Sequence, residues 1–219
     1  MAMASTPGRL ADPHTRIPMG YERELKQERA VLTRERILTA AAEAFAKHAY
    51  SEVTLLEIAE LMGMTKGAIY FHFKNKEALA VAVAENFYQY RAANSDAVAA
   101  LGLSPIDSVV EFLGRTARSF RDEVLMKAGA RLQIEHSSVG APLPPPYITF
   151  SGVIESWLQE AAEAGQLPDC VSVPVLTRVL VEVVFGAQHI SWVQSDRADI
   201  VERMDEIVRV VLRTEPHGA

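Results

Sequence analysis

The chain has 219 residues, of which 49% are hydrophobic and 23% are charged, and its formal net charge at pH 7 is −6. This composition is typical of a soluble globular protein that can bury a sizeable core. No apolar run of about 18–20 residues predicts a membrane-spanning helix, and the first residues lack the apolar middle of a signal peptide. The single cysteine, Cys170, excludes an internal disulfide, and we interpret it as a buried thiol in a reducing, cytoplasmic environment.

The charge is unevenly distributed along the chain. Residues 1–77 carry 11 Lys and Arg against 10 Asp and Glu, whereas residues 78–219 carry 11 against 18. Between Leu61 and Lys76 there are three lysines and no acidic residue. An acidic protein can bind nucleic acid when its acidic residues lie away from the surface that meets the phosphates. The distribution therefore permits DNA binding by the N-terminal part.

The N-terminal region divides into an arm and a first helix. Residues 1–27 contain three prolines among polar residues, and we expect them to form a disordered arm. From Glu28, apolar residues such as Ile37 and Phe45 recur at three- and four-residue steps. This spacing predicts a helix with one apolar face.

Residues 54–73, TLLEIAELMGMTKGAIYFHF, predict two short helices joined by a tight turn at Gly63. Thr54 and Glu57 have the spacing of a capping box, in which each side chain binds the backbone amide of the other residue. Helices this short are stable only when they are docked on a neighbour. A docked pair with a small-residue turn and a basic, aromatic edge is typical of a helix-turn-helix, which binds the major groove of duplex DNA.

The remainder of the chain predicts further helices and no strands. Asn75 is a candidate N-cap for a long helix, and Ser104 with Pro105 begins another. Residues 138–146 are predicted to form a loop because four prolines fix φ and remove hydrogen-bond donors. The other predicted helices cover residues 76–99, about 124–136, 147–164, 172–193 and 198–213. The fold class is therefore all-α, with about nine helices.

These motifs resemble the TetR family of transcriptional regulators. The resemblance rests on the aromatic end of the first helix at Phe45, the Thr-capped second helix, the glycine turn, and the motifs TKGAIYFHF and KNKEAL. It implies an N-terminal three-helix helix-turn-helix DNA-binding domain over residues 28–75, after the arm. It also implies a helical ligand-binding and dimerisation domain over residues 76–219.

The expected DNA contacts follow from the resemblance and from position on the two short helices. Lys66 could reach a guanine edge or a phosphate, Gly67 permits close approach of the backbone, and Ala68 could meet a thymine methyl group. Helix starts and hydroxyl, imidazole or ammonium groups suit phosphates. The candidate DNA-binding residues are Thr54, Thr65, Lys66, Gly67, Ala68, Tyr70, His72 and Lys76.

Several neighbouring side chains have a simpler interpretation. We interpret Ile69, Phe71 and Phe73 as core residues, because an aromatic stripe is more often packing than base stacking. Lys74 is interpreted as a solvated charge, and for His72 an exposed, non-contacting side chain stays an alternative.

The ligand-binding and dimerisation domain, called the body below, resembles the γ-butyrolactone-receptor branch of the family. Members of this branch sense small signalling molecules that control antibiotic production. The residues that carry this resemblance are RLQIE, the LPPPY loop and FGAQH, and within the branch the chain is most similar to methylenomycin furan receptors. Those receptors hold a carboxylated alkyl furan with two tyrosines and a glutamine, which implies ligand roles for Tyr88, Gln133 and Tyr147. Phenol and amide groups are neutral donors suited to a carboxylate or lactone oxygen in an apolar pocket.

Further side chains complete the expected pocket. Members of the branch commonly carry Trp three residues after the position that matches Tyr147, whereas this chain has Phe150. The smaller ring would enlarge the pocket or change its polar contacts. The alternative that any one of the polar groups is a satisfied core residue stays open. The additional candidate ligand-binding residues are Leu113, Phe120, Phe150, Val184, Phe185, Gln188 and Trp192.

The last two helices carry more apolar residues than one helical body can bury. We therefore expect a homodimer with a four-helix interface across a two-fold axis. Such a dimer would place two recognition helices about one DNA turn, or a multiple of it, apart on a palindromic operator.

Two other functions are alternatives. An enzyme acting on lactones or esters is disfavoured because the six histidines are scattered and neither GxSxG nor a phosphate-binding glycine loop occurs. We therefore expect no catalytic residues, no cofactor and no metal. The other alternative is a pseudo-receptor that senses an antibiotic or no ligand.

Overall fold

The computed structural model describes residues 19–145 and 147–212. Within these residues the chain forms nine α-helices and one short 3₁₀ helix, His136–Ser138. The α-helices are α1 (Met19–Lys47), α2 (Leu55–Leu61), α3 (Lys66–His72), α4 (Lys76–Ala99), α5 (Pro105–Asp122), α6 (Val124–Ile134), α7 (Ile148–Glu163), α8 (Val173–Ser195) and α9 (Ile200–Leu212). The all-α prediction is confirmed.

The predicted caps explain where several helices begin. The Asn75 side chain accepts a hydrogen bond from the Ala78 amide at 2.9 Å, so α4 begins at Lys76 as predicted. Ser104 caps α5 through the amide of Asp107, with Pro105 in the first turn. These bonds satisfy amides that have no partner inside their own helix.

Three differences from the sequence prediction concern the ends of two helices and the exposure of Cys170. Helix α1 begins at Met19 rather than near Glu28, so residues 19–27 of the predicted arm are helical, while residues 1–18 lie outside the described part. Helix α6 ends at Ile134, and the 3₁₀ helix follows it. Cys170 is exposed rather than buried, because it lies in the turn that precedes α8.

The chain divides into two compact units, residues 1–36 and 37–219. The candidate site residues discussed below belong to the second unit. The domain boundaries expected from the resemblance, after residues 27 and 75, stay predictions.

Two main groups of buried residues organise the second unit. The head core brings together the last part of α1, the helices α2 and α3, and the start of α4, and it also contains Ala128 and Leu132 of α6. The body core is built from α5, α7, α8 and α9, together with Val98 near the end of α4. A smaller cluster around Phe87 and Phe120 contains residues of α4, α5 and α6. Helices α4 and α6 therefore contribute to the head core and also to the smaller cluster.

The contact between α4 and α6 is unusually close at one position. A Cβ atom added to Gly129 would lie 2.2 Å from the Phe87 ring, so only glycine fits there. Close packing of backbone against an aromatic ring fixes the two helices together one residue before Tyr88 and four residues before Gln133.

Among the described residues, α8 is the one helix long and apolar enough to cross a membrane by length and composition, which the sequence analysis did not anticipate. Only 33% of its most apolar window is buried. It also carries Arg178 and Glu182. A helix that is buried against another protein chain meets the same criterion as a membrane span, so this single helix is weak evidence for a membrane.

Candidate DNA-binding and effector sites

The start of α2 carries the predicted capping box. The Thr54 hydroxyl accepts a hydrogen bond from the Glu57 amide at 3.2 Å, and the Glu57 carboxylate accepts from the Thr54 amide at 2.8 Å. The same carboxylate accepts from the Thr54 hydroxyl at 3.0 Å. The hydroxyl and the amide of Thr54, a candidate DNA-binding residue, are therefore both bound by Glu57, and a phosphate here would compete with the negative charge of Glu57.

The turn between α2 and α3 follows from one glycine. Gly63 has φ of +63°, a conformation that costs glycine little and other residues more. Its amide donates to the Glu60 carbonyl at 3.0 Å, and the Met64 amide donates to the Ala59 carbonyl at 2.9 Å. These bonds satisfy carbonyls at the end of α2 and set the direction of α3.

The first turn of α3 is exposed, as a recognition helix requires. Thr65 caps it by accepting from the Ala68 amide at 3.3 Å. Thr65, Lys66 and Gly67 are exposed, as is Tyr70 one turn later. The Lys66 ammonium lies 5.6 Å from the Tyr70 ring centre, so these two side chains form one edge.

The aromatic stripe of α3 was interpreted wrongly at one position. Ile69 and Phe73 are 0% and 3% exposed, as predicted, but Phe71 is 81% exposed. In a helix, residues four apart share a face, whereas a residue two positions away points to the opposite side. Phe71 therefore cannot pack in the same core as its neighbours, and its ring contacts only the half-buried His72 at 5.2 Å among the described ring pairs.

Lys76 has a partner inside the protein. Its ammonium donates to the Tyr50 carbonyl at 2.7 Å and lies 4.2 Å from the Tyr50 ring centre. This anchors the first turn of α4 to the loop after α1. Lys74 is exposed, as predicted.

The predicted polar ligands come together between α4 and α6. The Gln133 amide donates to the Tyr88 hydroxyl at 2.6 Å, and that hydroxyl donates to the Pro144 carbonyl at 3.2 Å. Burial raises the pKa of Tyr88, while the hydrogen bond from Gln133 lowers it. The LPPPY loop, α4 and α6 thus meet at one phenol, which is neutral at physiological pH.

Tyr147 lies at the start of α7 with φ of 68°. This left-handed conformation is uncommon for a residue with a side chain and is held by its surroundings. Its ring lies 4.3 Å from the ring of Phe185. Its phenol is close enough to Tyr88 and Arg91 to act on the pKa of both groups.

Phe185 of α8 links the predicted apolar walls. Its ring centre lies 5.3 Å from that of Phe150 and 6.4 Å from that of Phe120. Leu113 and Val184 are fully buried in the body core, against which Phe185 packs. These five predicted wall residues therefore line adjoining parts of one interior.

Two predicted ligand residues have different surroundings. Gln188 is 2% exposed, and its amide nitrogen has no hydrogen-bond partner within the described part of the chain. Trp192 is half-buried and lies between Arg131 and Arg197, at 4.6 Å and 4.9 Å from their guanidinium carbons. No measured contact joins Trp192 to Tyr88 or Tyr147 in the residues described.

Arg91 was not among the predicted ligand-binding residues. This residue is 8% exposed, and neither of its terminal nitrogens has a hydrogen-bond partner among the residues described. Its guanidinium carbon lies 4.5 Å, 5.3 Å and 5.6 Å from the ring centres of Phe150, Phe87 and Phe185. Burial lowers the pKa of Arg91 to about 10. Its spacing from Phe87, four residues earlier on the same helix face, was the signal available in the sequence.

A small cavity adjoins these groups. Its volume is about 20 Å³, which is room for about one water molecule. The lining residues are Tyr88, Arg91, Ala92, Ser95, Phe112, Thr149, Phe150 and Val153. A small organic molecule would fit only after the surrounding side chains move apart.

Comparison with known proteins identifies the family. Residues 37–83 match the family described as bacterial regulatory proteins, tetR family. Over 192 residues the chain is 30% identical to the A-factor receptor protein of Streptomyces griseus, a match covering 88% of this chain and 67% of that protein. The chain belongs to the TetR family.

Solved structures agree with the γ-butyrolactone-receptor branch of the TetR family. One, on the molecular basis for control of antibiotic production by a bacterial hormone, is 44% identical with a TM-score of 0.78, covering 84% of this chain and 97% of that chain. Another, a γ-butyrolactone receptor described as ArpA-like, is 26% identical with a TM-score of 0.65, covering 83% and 98%.

Membership of the TetR family rules against the enzyme alternative. The family consists of transcriptional regulators and not of enzymes, so the lactone or ester hydrolase is not supported. Within the described residues, no group of three His, Cys, Asp or Glu side chains could hold a metal ion.

Proposed function

We propose that the protein is a cytoplasmic, homodimeric repressor that binds a palindromic operator and is released by a small diffusible signal. The signal belongs to the 2-alkyl furan carboxylic acid, γ-butyrolactone or butenolide type, and the regulated genes serve antibiotic or secondary-metabolite production. The observation that carries this proposal is helix α4. Its first residue, Lys76, is bonded to the head, and the same helix carries Tyr88 and Arg91 three to four turns later.

The exposed edge of α3 supports the DNA-binding half of the proposal. Thr65, Lys66 and Tyr70 are solvent-exposed polar groups beside an exposed helix start. A Cβ atom added to Gly67 would meet nothing within 4 Å. Glycine in a helix costs stability relative to alanine, and no contact inside the protein requires it here. A glycine here is explained if a DNA backbone approaches too closely for a side chain to fit.

Helix α6 supports a route from the effector site to the head. Gln133 binds Tyr88, and two residues later the Glu135 carboxylate accepts a hydrogen bond from the Tyr50 amide at 2.6 Å. The Tyr50 hydroxyl donates to the Val139 carbonyl at 3.1 Å. A ligand that enters between Tyr88 and Gln133 would thus displace two helices, both bonded to the head through Tyr50.

Release requires the ligand to bind the non-DNA conformation more tightly than the DNA-bound one. Each tenfold loss of operator affinity needs about 1.4 kcal/mol of such differential binding. The ligand binds the two conformations with different affinity if its own contacts form only when the hydrogen bond between Tyr88 and Gln133 is broken.

An apolar stripe on α8 supports the dimer. Its exposed members recur at three-, four- and seven-residue steps, which places them on one helix face. They are Val175, Val179, Val183, Ile190 and Val193. Gly186 lies within the stripe with open space around it, so another helix could approach closely. On α9 the largest exposed apolar residue is Val210, at 77% exposed. Pairing with a second copy would bury the apolar face of α8.

Operator binding and release test the proposed function together. The purified protein selects its operator from a random DNA library, and fluorescence anisotropy then measures affinity with and without each class of signal. We expect at least one class to weaken binding about tenfold or more at saturation, by the differential-binding argument. Unchanged operator affinity with all three classes would contradict the sensor function and favour the pseudo-receptor.

Two exposed lysines provide the matched control for DNA contact. Lys66→Ala should weaken operator binding and reduce the slope of affinity against salt by about one counterion, whereas Lys74→Ala should change both less. Unchanged affinity and salt slope in Lys66→Ala would show that Lys66 does not contact the DNA.

The dimer is tested by sedimentation. Val183→Glu introduces a charge into the α8 stripe and should convert the dimer to a monomer, because an unpaired charge in an apolar interface is costly. Val31→Glu, at an exposed apolar residue of α1, is the control and should leave the dimer intact. A dimer that survives Val183→Glu would place the interface elsewhere.

A further inference from the structure

Arg91 is buried, and no carboxylate pairs with it among the residues that the structure describes. It is 8% exposed, and within the described residues both terminal nitrogens are buried without a hydrogen-bond partner. Arg197, which is even more buried, lies 3.6 Å from the Asp196 carboxylate. Buried charges are normally paired, since an unpaired one loses its hydration without compensation.

The surroundings of Arg91 compensate its charge only in part. Three phenylalanine rings lie within 5.6 Å of its guanidinium carbon. Aromatic faces attract a cation, but they do not accept the five N–H donors that lie in the plane of the guanidinium. The donors of Arg91 therefore suit an acceptor that enters from outside the chain.

The nearby groups specify what that acceptor is like. Arg91 is the only charged residue among those lining the 20 Å³ cavity in the part of the chain described. Phe112, Phe150 and Val153 line the same cavity, and the Tyr88 phenol supplies a neutral polar group. One cation beside apolar walls matches one negative charge on an otherwise apolar molecule.

We infer that Arg91 is the anion-binding residue of the effector site and that the effector carries a carboxylate. The carboxylate would bind both terminal nitrogens of Arg91 in the bidentate geometry that guanidinium favours. The Tyr88 side chain lines the same cavity as Arg91, so its phenol would add a hydrogen bond to the same group. Uncharged γ-butyrolactones and butenolides would leave the buried cation unpaired and bind more weakly. This inference rests on the proposed effector site and selects one of its three ligand classes.

The first test compares two probes on the unaltered protein. Isothermal titration calorimetry measures binding of 2-pentylfuran-3-carboxylic acid and of its methyl ester, which differ by one charge and little in shape. We expect the acid to bind at least about 100-fold more tightly, since hydrogen bonds to charged groups are strong when desolvated. Equal affinities for acid and ester would overturn the inference without any variant.

The second test removes the charge from the protein. Arg91→Met keeps the length and apolar stem but should weaken acid binding about 100-fold and leave ester binding within about threefold. Arg91→Lys keeps the charge without the planar fork and should retain part of the acid preference. Arg118→Met, at a half-exposed residue of α5, is the matched control and should change neither affinity. Full acid affinity in Arg91→Met would overturn the inference.

Operator release separates this inference from the proposed function. If a neutral butyrolactone releases the operator from the unaltered protein as well as the acid does, Arg91 does not select the ligand, but the repressor function stands. If none of the small molecules changes operator affinity, the proposed function itself is wrong. A far-UV circular dichroism spectrum and a cooperative urea transition like those of the unaltered protein show that Arg91→Met folds.

Discussion

The head and the body of the second unit differ in how their polar groups are satisfied. In the head, the Thr54 and Thr65 hydroxyls, the Asn75 amide and the Lys76 ammonium all bind groups of their own chain. In the body, buried nitrogens without partners occur on Arg91, Arg131, Gln188 and Arg197 within the residues described. The capping groups of the head therefore have hydrogen-bond partners within the chain, whereas the interior of the body contains donors without partners.

This difference follows from what each part meets. A DNA-binding surface contacts its partner from outside, so its helices can be fully capped before the partner arrives. A buried ligand must supply hydrogen bonds from within, so its site keeps donors that the empty protein cannot satisfy. Such donors cost stability in the absence of ligand, and they make the structure responsive to it.

The largest expected effect tests the packing of the head core. Ile69→Ala removes a fully buried side chain from the head core and should lower the free energy of unfolding by about 2–5 kcal/mol. Phe71→Ala, two residues away and 81% exposed, should change it by about 0.5 kcal/mol or less. Urea denaturation followed by circular dichroism measures both. A large loss of stability in Phe71→Ala would restore the original interpretation of the stripe.

The sequence predicted the head well because its signals are local. A capping box, a glycine turn and an asparagine cap each involve residues three or four positions apart, so their spacing determines their geometry. The exception is Phe71, because a helix repeats every 3.6 residues and alternate residues therefore do not share a face. Correct periodicity alone would have placed Phe71 on the exposed side.

The sequence predicted less of the body because its site is assembled from distant segments. The contact of Tyr88 with Gln133 spans 45 positions and was reached through family resemblance, not through spacing. Arg91 lacks a partner because of the groups that surround it in the folded protein. A local sequence pattern cannot show that a hydrogen-bond acceptor is missing. The extended environment of Trp192 beside Arg131 and Arg197 was unpredictable for the same reason.

The second prediction tests whether the unpaired charge of Arg91 destabilises the body. Arg91→Met should raise the free energy of unfolding of the ligand-free protein by about 1–4 kcal/mol, because a buried unpaired charge is replaced by an apolar side chain. Urea denaturation at pH 7 measures the difference, with Arg118→Met as the control. A destabilised Arg91→Met would mean that the phenylalanine rings compensate the charge of Arg91.

The pH dependence of that difference follows from the pKa of Arg91. Burial lowers the folded pKa to about 10, so the unfolded chain holds the proton more tightly than the folded one. Stability of the unaltered protein therefore rises as pH rises through about 10. The advantage of Arg91→Met should stay constant between pH 6 and pH 9, to about 0.5 kcal/mol. A change in that range would assign the effect to another group.

The third prediction concerns the bond that the ligand is proposed to replace. Tyr88→Phe removes the hydroxyl that binds Gln133 and Pro144, and should cost about 1–3 kcal/mol because two partly buried groups lose their partner. The double substitution with Gln133→Leu should cost less than the sum of the two single ones. Additive losses in a double-mutant cycle would show that the 2.6 Å contact contributes little stability.

The smallest effect distinguishes the two threonine caps of the head. Thr54→Ala removes a hydroxyl from a reciprocal capping box, and Thr65→Ala removes one from a single, longer cap. Each should lower the free energy of unfolding by about 0.5–2 kcal/mol, with the larger loss at Thr54. Operator affinity should separate them in the opposite order. Thr65 is exposed at the recognition helix, while the Thr54 hydroxyl already binds Glu57, so Thr65→Ala should weaken DNA binding more. A greater loss of operator affinity in Thr54→Ala would mean that Glu57 releases this cap to a phosphate when DNA binds.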